Sequence, residues 1–339
     1  MLKLLFITPK IDERHDDLAF ASLWAKAFAD AGYEVTVIAG DVVSHSLPFP
    51  VLSVGHAQGG SWLRSFLRFQ KLIVTLKYDR VFVHMNTRWL AAGAWYWWIR
   101  RIPTYLWFTH YTRTITFRIG EICLSRIFAA TKESLPQFEG DPRKIVTGHG
   151  IDTAYWNVAD VPDAEREPMT NLLVVHRISR SKRFEIVLKT LALLPSQYCV
   201  THYGRPQDPS QDPEYAAEIE GLVSSLGLKD RVKFMGAIPM PELRNIYPRY
   251  RVFVNMVPKT IDKTVLEAMY CGLTPVINCA HADAIGYPDA PADDSPESVA
   301  LFIKTMTQKS RAELRRIVEE RHSLQSLIEK MSVYIRPGN

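Results

Sequence analysis

Two cations follow the first strand pattern in the second half of the chain. Arg177 ends a strand predicted over Leu172–Arg177, and Lys182 opens a helix predicted over Ser181–Leu193. The N-terminal end of a helix carries a partial positive charge, and two cations beside it would suit a diphosphate group. The alternative is that both are ordinary surface cations. Positive charge is electrostatically unfavourable at a helix start, and we favour anion binding for that reason.

The elements that would position these cations repeat along the chain as short apolar runs that alternate with helical patterns. The strands predicted in the first half are Lys3–Thr8, Glu34–Ala39, Pro50–Val54, Arg80–His84, Thr104–Thr109, Arg126–Ala130 and Lys144–Thr147. The clearest helices there are Asp17–Ala31, Leu63–Lys77 and Trp89–Arg100. Apolar strands separated by helices indicate a parallel sheet that is covered on both faces.

The pattern stops once, over the polar segment Asp152–Asn171, which we interpret as a linker between a domain 1–151 and a domain 172–339. A chain of 339 residues fits two domains. The second domain is predicted to contain further strands and helices and a helical tail, namely the strands Tyr198–Tyr203, Val232–Met235, Val252–Asn255 and Thr274–Asn278, and the helices Pro213–Leu226, Pro241–Ile246, Lys263–Tyr270 and Pro296–Ser332. Two doubly wound domains of this kind would place their strand ends at a shared crevice, where such folds bind ligands.

Composition excludes several classes of protein. Hydrophobic residues make up 47% of the chain and charged residues 23%, which is typical of a globular protein. The four cysteines lack CxxC spacing and indicate a reduced, cytoplasmic protein, and the longest apolar stretch, Trp89–Ile99, is too short to cross a membrane. The chain contains no Walker loop, nucleophile elbow, GxGxxG or zinc-ligand cluster, and we therefore expect no metal and no cofactor.

The positive charge is concentrated between Trp62 and Arg126, a segment that contains eleven cations and only two carboxylates. Six of the eight tryptophans lie in the same segment. In the helix predicted over Leu63–Lys77, an apolar stripe is flanked by cations, as in helices that lie on anionic membranes. The stripe consists of Leu63, Phe66, Leu67, Ile73 and Val74, and the residues predicted to contact the membrane are Trp62, Arg64, Phe66, Arg68 and Lys71. The alternative is a helix that packs on the sheet and exposes a basic flank. The chain shows no nucleic-acid-binding motif, and we expect no nucleic-acid partner.

Several segments of the second half together resemble the donor-binding domain of retaining GT-B glycosyltransferases, above all glycosyltransferase family 4. They are, in order, VVHRISRSKRFEIVLKTL, LGLKDRVKFMGAIPMPELRNIY, YRVFVNMVP and VLEAMYCGLTPVI. The segment GHGIDTAYW resembles the family's domain junction, and the first half is similar mainly in its opening strand, loop and helix and in WFTH. The resemblance implies an α/β fold of two Rossmann-like, doubly wound domains that face an interdomain crevice.

The resemblance also assigns roles to individual residues. It implies that Arg177 and Lys182 stabilise the charge that develops on the leaving diphosphate, that Glu267 binds the ribose hydroxyls, and that His110 contacts the donor sugar. Glu267 has an alternative role, because Thr264 and Glu267 also form a capping-box pattern at a helix start. His84 ends a neighbouring strand and is the alternative to His110. Further donor-site residues are Gly204, Gly236, Ile238 and Thr264, although the glycines could also be turn residues.

The chain departs from the family pattern at Lys259, where a glutamate usually contacts the donor sugar. Three hypotheses follow: Asp262 supplies that carboxylate, Lys259 binds an acidic sugar, or the enzyme is impaired. We favour Asp262, because a carboxylate is electrostatically stable at a helix start. The first loop also lacks the family's paired glycines and contains His15, Asp16 and Asp17. It could shape the acceptor site, or Asp16 or Asp17 could cap the following helix.

The sequence therefore predicts a retaining glycosyltransferase of the hexosyltransferase type (EC 2.4), with a UDP- or GDP-linked sugar as donor. The expected acceptor is a lipid- or polyprenyl-linked glycan of cell-surface polysaccharide synthesis. The protein is expected to be cytoplasmic and peripheral on the inner face of the cell membrane. The alternatives are a GT-B sugar-nucleotide epimerase, a glycan phosphorylase, and a degenerate, non-catalytic GT-B binding protein.

Overall fold

The computed structural model describes residues 1–16, 18–55, 61–109, 113–206, 214–258 and 261–336. The chain divides into two compact units, of which the first consists of Met1–His149 with Leu324–Asn339 and the second of Gly150–Ser323. Each unit contains one parallel sheet with helices packed on it, as the alternation of strand and helix patterns predicts.

The sheet of the first unit has seven parallel strands in the order β3-β2-β1-β4-β5-β6-β7. The strands are β1 (Leu2–Asp12), β2 (Tyr33–Ser44), β3 (Val51–Ser53), β4 (Arg80–His84), β5 (Thr104–Trp107), β6 (Leu124–Ala129) and β7 (Lys144–Val146). The helices that connect them are α1 (Phe20–Asp30), α2 (Trp62–Thr75), α3 (Thr87–Ile99) and α4 (Ile115–Gly120). The order of the strands reverses between β1 and β4, which makes their carboxyl ends a topological switch point.

The sheet of the second unit has five parallel strands in the order β10-β9-β8-β11-β12. The strands are β8 (Asn171–Val175), β9 (Cys199–Tyr203), β10 (Val232–Phe234), β11 (Val252–Asn255) and β12 (Thr274–Ile277). The helices are α5 (Phe184–Leu193), α6 (Tyr215–Ser225), α7 (Met240–Ile246), α8 (Lys263–Tyr270), α9 (Cys279–Ile285), α10 (Pro296–Thr305) and α11 (Arg311–His322). The switch point of this sheet lies between β8 and β11.

The last helix, α12 (Leu324–Ile335), belongs to the first unit, whereas the sequence analysis places all of 172–339 in the second domain. Its apolar residues pack beside Trp24 and Phe28 of α1 on one face of the first sheet. The Tyr33 hydroxyl donates to Ser332 Oγ over 2.9 Å, which fixes the helix there. The apolar spacing of α12 predicts a helix that packs, but it does not show which sheet the helix covers.

Helices α2, α3 and α4 lie on the opposite face of the first sheet, where their buried side chains share one core cluster. Each begins at a polar cap: Ser61, Asn86 and Thr114 accept a hydrogen bond from the backbone N–H three residues later. Caps of this kind stabilise a helix by about 1 kcal/mol. They fix the starts of the three helices that form the outer surface of this unit.

Candidate functional site

The candidate site in the second unit lies in the loops that follow β8, β9 and β11. Strand β8 ends at Val175, so the predicted strand Leu172–Arg177 is too long and Arg177 lies beyond the sheet. The loop after β8 runs beside the loop after β9, because the Ile178 N–H donates to the Arg205 carbonyl over 2.9 Å. Arg177 is half-buried between the buried residues His176 and Ile178.

Lys182 lies in a 3₁₀ turn, Arg180–Lys182, that precedes α5. Helix α5 begins at Phe184 and is preceded by Arg183 in the left-handed conformation, with φ 53°. The prediction that Lys182 opens the helix is therefore wrong by two residues. The left-handed residue redirects the chain, so the turn and the helix are separate elements.

Lys182 forms a partly buried ion pair with Asp262, which lies 80 residues later in the chain. The distance between Lys182 Nζ and Asp262 Oδ2 is 2.5 Å. Lys182 follows β8 and Asp262 follows β11, so the pair lies at the switch point of the sheet. The exposed fractions of the two side chains are 20% and 8%, and the pair is shielded from bulk water.

Both carboxylate oxygens of Asp262 are occupied. Oδ2 also accepts a hydrogen bond from Asn255 Nδ2 over 3.1 Å, while Oδ1 accepts from Thr264 N and Thr264 Oγ1 over 3.2 and 3.0 Å. Burial alone would raise the pKa of Asp262, but the Lys182 ammonium and the hydrogen bonds from Lys182 and Asn255 hold it well below the ordinary 3.8. Asp262 is therefore a fully ionised carboxylate with four donors.

Asp262 is also the N-cap of α8, and this excludes the capping box considered for Glu267. Thr264 lies inside the helix, so Glu267 is not at the third helical position that a capping box requires. The Glu267 side chain is buried, and its Oε2 accepts a hydrogen bond from the Tyr247 hydroxyl over 3.4 Å. Burial raises the pKa of Glu267, although Lys263 at 3.4 Å opposes this effect. The ribose-binding role of Glu267 stays a prediction.

Gly204 and Gly236 lie together at the ends of β9 and β10. The Gly204 N–H donates to the Gly236 carbonyl over 2.8 Å. Gly204 has φ +149°, and a Cβ atom there would lie 1.9 Å from the His176 carbonyl oxygen. Only glycine fits this position, because the backbone passes so close to the loop after β8. Gly236 is exposed and Ile238 is half-buried, so both are accessible to a ligand.

Replacing Gly204 by alanine is expected to lower the free energy of unfolding by about 2–4 kcal/mol, since the new Cβ would collide with backbone that cannot yield easily. Urea unfolding measures the change. Gly236→Ala is the control: its φ is also positive, at +76°, but no atom lies within 4 Å of the added Cβ. We expect it to cost about 1 kcal/mol. Equal losses in both variants would contradict the steric account of Gly204.

Two histidines at this edge, His176 and His202, were not predicted as site residues. His202 Nε2 lies 2.9 Å from the His176 carbonyl oxygen, and His176 Nδ1 lies 3.0 Å from the Arg177 carbonyl oxygen. Burial lowers the pKa of both, to about 4 for His202, so both rings are neutral at pH 7. Their positions at the ends of consecutive strands, in VVHR and THYG, were the available signal. Asn255 was missed as well, although it ends β11.

Other predicted site residues lie elsewhere or outside the described residues. Asp17, His110 and Lys259 fall outside them. His84, the alternative to His110, is a core residue: its ring stacks on Trp107 at 5.3 Å, and burial lowers its pKa to about 3. His15 Nδ1 lies 3.0 Å from Asp16 Oδ1, and the same nitrogen faces the Leu18 N–H at 3.2 Å. Helix α1 begins after Ala19 without a side-chain cap, so Asp16 does not cap it.

A cavity of about 290 Å³ lies in the first unit at the switch point between β1 and β4. It is lined by residues of β1 and β2, by the two residues that follow β4, and by residues of α2 and α3: Pro9, Gly40, Trp62, Met85, Asn86, Thr87, Arg88, Trp89 and Ala92. Aromatic rings and one arginine in a concave site suit a ligand with a sugar ring and an anionic group.

The outward faces of α2, α3 and α4 form one surface, which we call the basic aromatic surface. Its apolar members are Trp62, Leu63, Leu67, Val74, Trp95, Trp98, Ile99, Ile115 and Ile119, all exposed. Arg64, Arg68 and Lys71 are exposed between them, and the three helices contain no acidic residue. Of the stripe predicted on α2, only Ile73 is buried, since the helix packs through Ser65, Phe69 and Ile73. Leu63, Leu67 and Val74 of that stripe therefore belong to the surface, whereas Phe66 is half-buried.

Within the described ranges, no helix is both long and apolar enough to cross a membrane. The same part of the chain holds no group of three or more His, Cys, Asp or Glu side chains that could bind a metal ion.

Comparison with known proteins identifies the fold and a family match in the second unit. Residues 170–307, which include the loops after β8, β9 and β11, match the family model of glycosyl transferases group 1. Comparison with curated protein sequences finds no significant match. The structural neighbours include glycosyltransferases of the GT-B fold, and the two Rossmann-like units of this chain have the fold of its two domains.

Three solved structures illustrate the similarity. HepE of Anabaena, in complex with UDP and glucose, is 17% identical with a TM-score of 0.75, over 98% of this chain and 99% of HepE. Sucrose-phosphate synthase of Thermosynechococcus elongatus is 16% identical with a TM-score of 0.74, over 98% of each chain. WaaG, a glycosyltransferase involved in lipopolysaccharide biosynthesis, is 17% identical with a TM-score of 0.68, over 99% of this chain and all of WaaG.

Proposed function

We propose that this protein is a glycosyltransferase that transfers a sugar from a nucleoside diphosphate sugar to a lipid-linked glycan. The observation that carries the proposal is the placement of Arg177 and Lys182 after β8, at the switch point of a domain that matches group 1 glycosyltransferases. The UDP complexes of HepE support a nucleoside diphosphate as the leaving group.

The chemistry requires a group that stabilises negative charge. In the transfer, the bond between the anomeric carbon and the diphosphate oxygen breaks, and the acceptor oxygen bonds to the same carbon. The diphosphate leaves with the electron pair and receives the acceptor's proton when attack occurs on the same face, which retains the stereochemistry. Among the described residues, the Lys182 ammonium donates to Asp262 alone, so two of its three N–H donors remain for phosphate oxygens. Fixed cations lower the barrier because their charge is in place before the bond breaks.

The acceptor side of the proposal rests on the first unit. The cavity at its switch point combines Trp62, Trp89 and Arg88, and Trp62 also belongs to the basic aromatic surface. Cations between exposed tryptophans and aliphatic side chains suit an anionic lipid bilayer. A glycan carried on a lipid would reach the cavity from that bilayer, and we propose such a glycan, as formed in cell-surface polysaccharide synthesis, as the acceptor. The protein would then act at the inner face of the membrane.

The function is tested by incubating the protein with labelled UDP- and GDP-sugars and membrane vesicles from the source cells. We expect the label of one donor to become bound to the lipid fraction. Conversion of the nucleotide sugar into its epimer, or sugar release that requires inorganic phosphate, would contradict transfer and favour an epimerase or a phosphorylase. Absence of any change in every donor would favour a non-catalytic binding protein.

A further inference from the structure

The ion pair between Asp262 and Lys182 gives Asp262 a role that its position in the sequence does not predict. We propose that Asp262 is an internal counter-ion of Lys182, which holds the ammonium in position and competes with the donor diphosphate for its charge. The inference rests on the proposed function, because it assigns Lys182 to a diphosphate. It makes Asp262 a positioning residue that limits how tightly the protein holds its donor and its nucleotide product.

Asp262 is held rigidly enough to position a flexible side chain. Its carboxylate accepts hydrogen bonds from Asn255 and Thr264, and its backbone N–H donates to His281 Nε2 over 3.2 Å. The lysine side chain is a flexible four-carbon chain, and fixing it in one conformation costs about 2 kcal/mol of conformational entropy. Because the ion pair fixes Lys182 before any ligand arrives, a phosphate group would not have to bear that cost.

The same contacts leave Asp262 unsuited to the sugar-binding role that the sequence suggested. A carboxylate offers about four acceptor positions. Lys182, Asn255 and two groups of Thr264 occupy that number. A sugar hydroxyl could bind this carboxylate only by displacing one of them.

The competition follows from charge and burial. A nucleoside diphosphate brings two or more negative charges to Lys182, which already lies 2.5 Å from a carboxylate that is 8% exposed. Like charges in such a partly buried site repel one another more strongly than in water. The protein with Asp262 therefore binds a diphosphate less tightly than a protein with an uncharged residue of the same shape.

Titration calorimetry of Asp262→Asn with UDP, GDP and inorganic pyrophosphate tests the proposal. We expect the nucleotide that binds the unaltered protein to bind the variant roughly tenfold more tightly, because one negative charge is removed from beside the phosphates while the asparagine amide oxygen can still accept from Lys182 and hold it in position. The matched control is Asp294→Asn, which removes the partner of Arg183, the neighbour of Lys182, without touching Lys182. The affinity of the Asp294→Asn variant for the same nucleotide is expected to stay within about twofold of that of the unaltered protein.

Two further readouts separate this role from a merely structural one. In turnover, Asp262→Asn is expected to lower the donor KM and to strengthen inhibition by the product nucleotide, whereas a damaged fold would lower kcat alone. In thermal unfolding without ligand, Asp262→Asn is expected to be less stable than the unaltered protein and to regain stability on addition of the nucleotide, because the diphosphate then replaces the lost counter-ion.

If Asp262→Asn does not fold, Asp262→Ser serves the same test, because serine retains a capping oxygen for α8 without the charge. Unchanged or weaker binding by the folded variant would overturn the proposal for Asp262 and leave the proposed function intact. Absence of binding by the unaltered protein to UDP, GDP and pyrophosphate would overturn both.

Discussion

Replacing Arg177 by alanine is expected to lower the rate of sugar transfer about 10²–10³-fold, as is typical when one preorganised donor to a developing charge is removed. The backbone around Arg177 is fixed by hydrogen bonds of His176 N and Ile178 N to the carbonyls of Tyr203, at the end of β9, and Arg205, in the loop after it. The variant is therefore expected to fold, so that the loss reflects missing charge at the diphosphate. Initial rates with the transferred donor measure the effect.

Two variants control this experiment. Arg180→Ala removes a cation from the same loop, but Arg180 is exposed and paired with Glu218, and we expect a change of less than threefold. Arg177→Lys retains the charge without the planar fork of the guanidinium and is expected to recover part of the rate. Equal losses in Arg177→Ala and Arg180→Ala would show that Arg177 has no special place in the reaction.

Replacing Arg64, Arg68 and Lys71 together by serine is expected to weaken binding to anionic vesicles about a hundredfold. Each basic residue near an anionic membrane contributes about 1 kcal/mol, and three such contributions amount to roughly a factor of 100. Sedimentation with vesicles that contain an anionic phospholipid measures the change. The three side chains are exposed, so the fold is expected to be unaffected.

The control for this variant carries the same change in net charge in the second unit. Lys189, Lys229 and Lys304 are exposed there, and their replacement by serine is expected to leave vesicle binding nearly unchanged. Equal loss in both triple variants would show that net charge alone attracts the protein. Absence of binding by the unaltered protein would remove the membrane from the proposal.

Much of the fold follows from local patterns. The bounds predicted for Arg80–His84, Val252–Asn255 and Lys263–Tyr270 agree with β4, β11 and α8, because apolar runs and helix periods are properties of neighbouring residues. Two short helices, α4 and α9, are too short to give a clear period and were missed. The continuous tail predicted over Pro296–Ser332 is divided into α10, α11 and α12, with Ser310 capping α11.

The contacts within the candidate site could not be predicted from local patterns. The sequence predicted Lys182 and Asp262 as separate site residues, but their ion pair joins loops that are 80 residues apart, and only the order of the strands brings those loops together. Gly204 was a candidate for the nucleotide pocket or for a turn. Its close approach to the His176 carbonyl depends on neighbouring loops and was not predictable from its own segment.

The most direct test of the account is a calorimetric screen of UDP, GDP and ADP against the unaltered protein and the Arg177→Ala variant. The account predicts that one of these nucleotides binds the unaltered protein and that the variant loses this binding. The diphosphate would then be the group that the loop after β8 recognises. Binding of none of them, or equal binding to both proteins, would contradict the account.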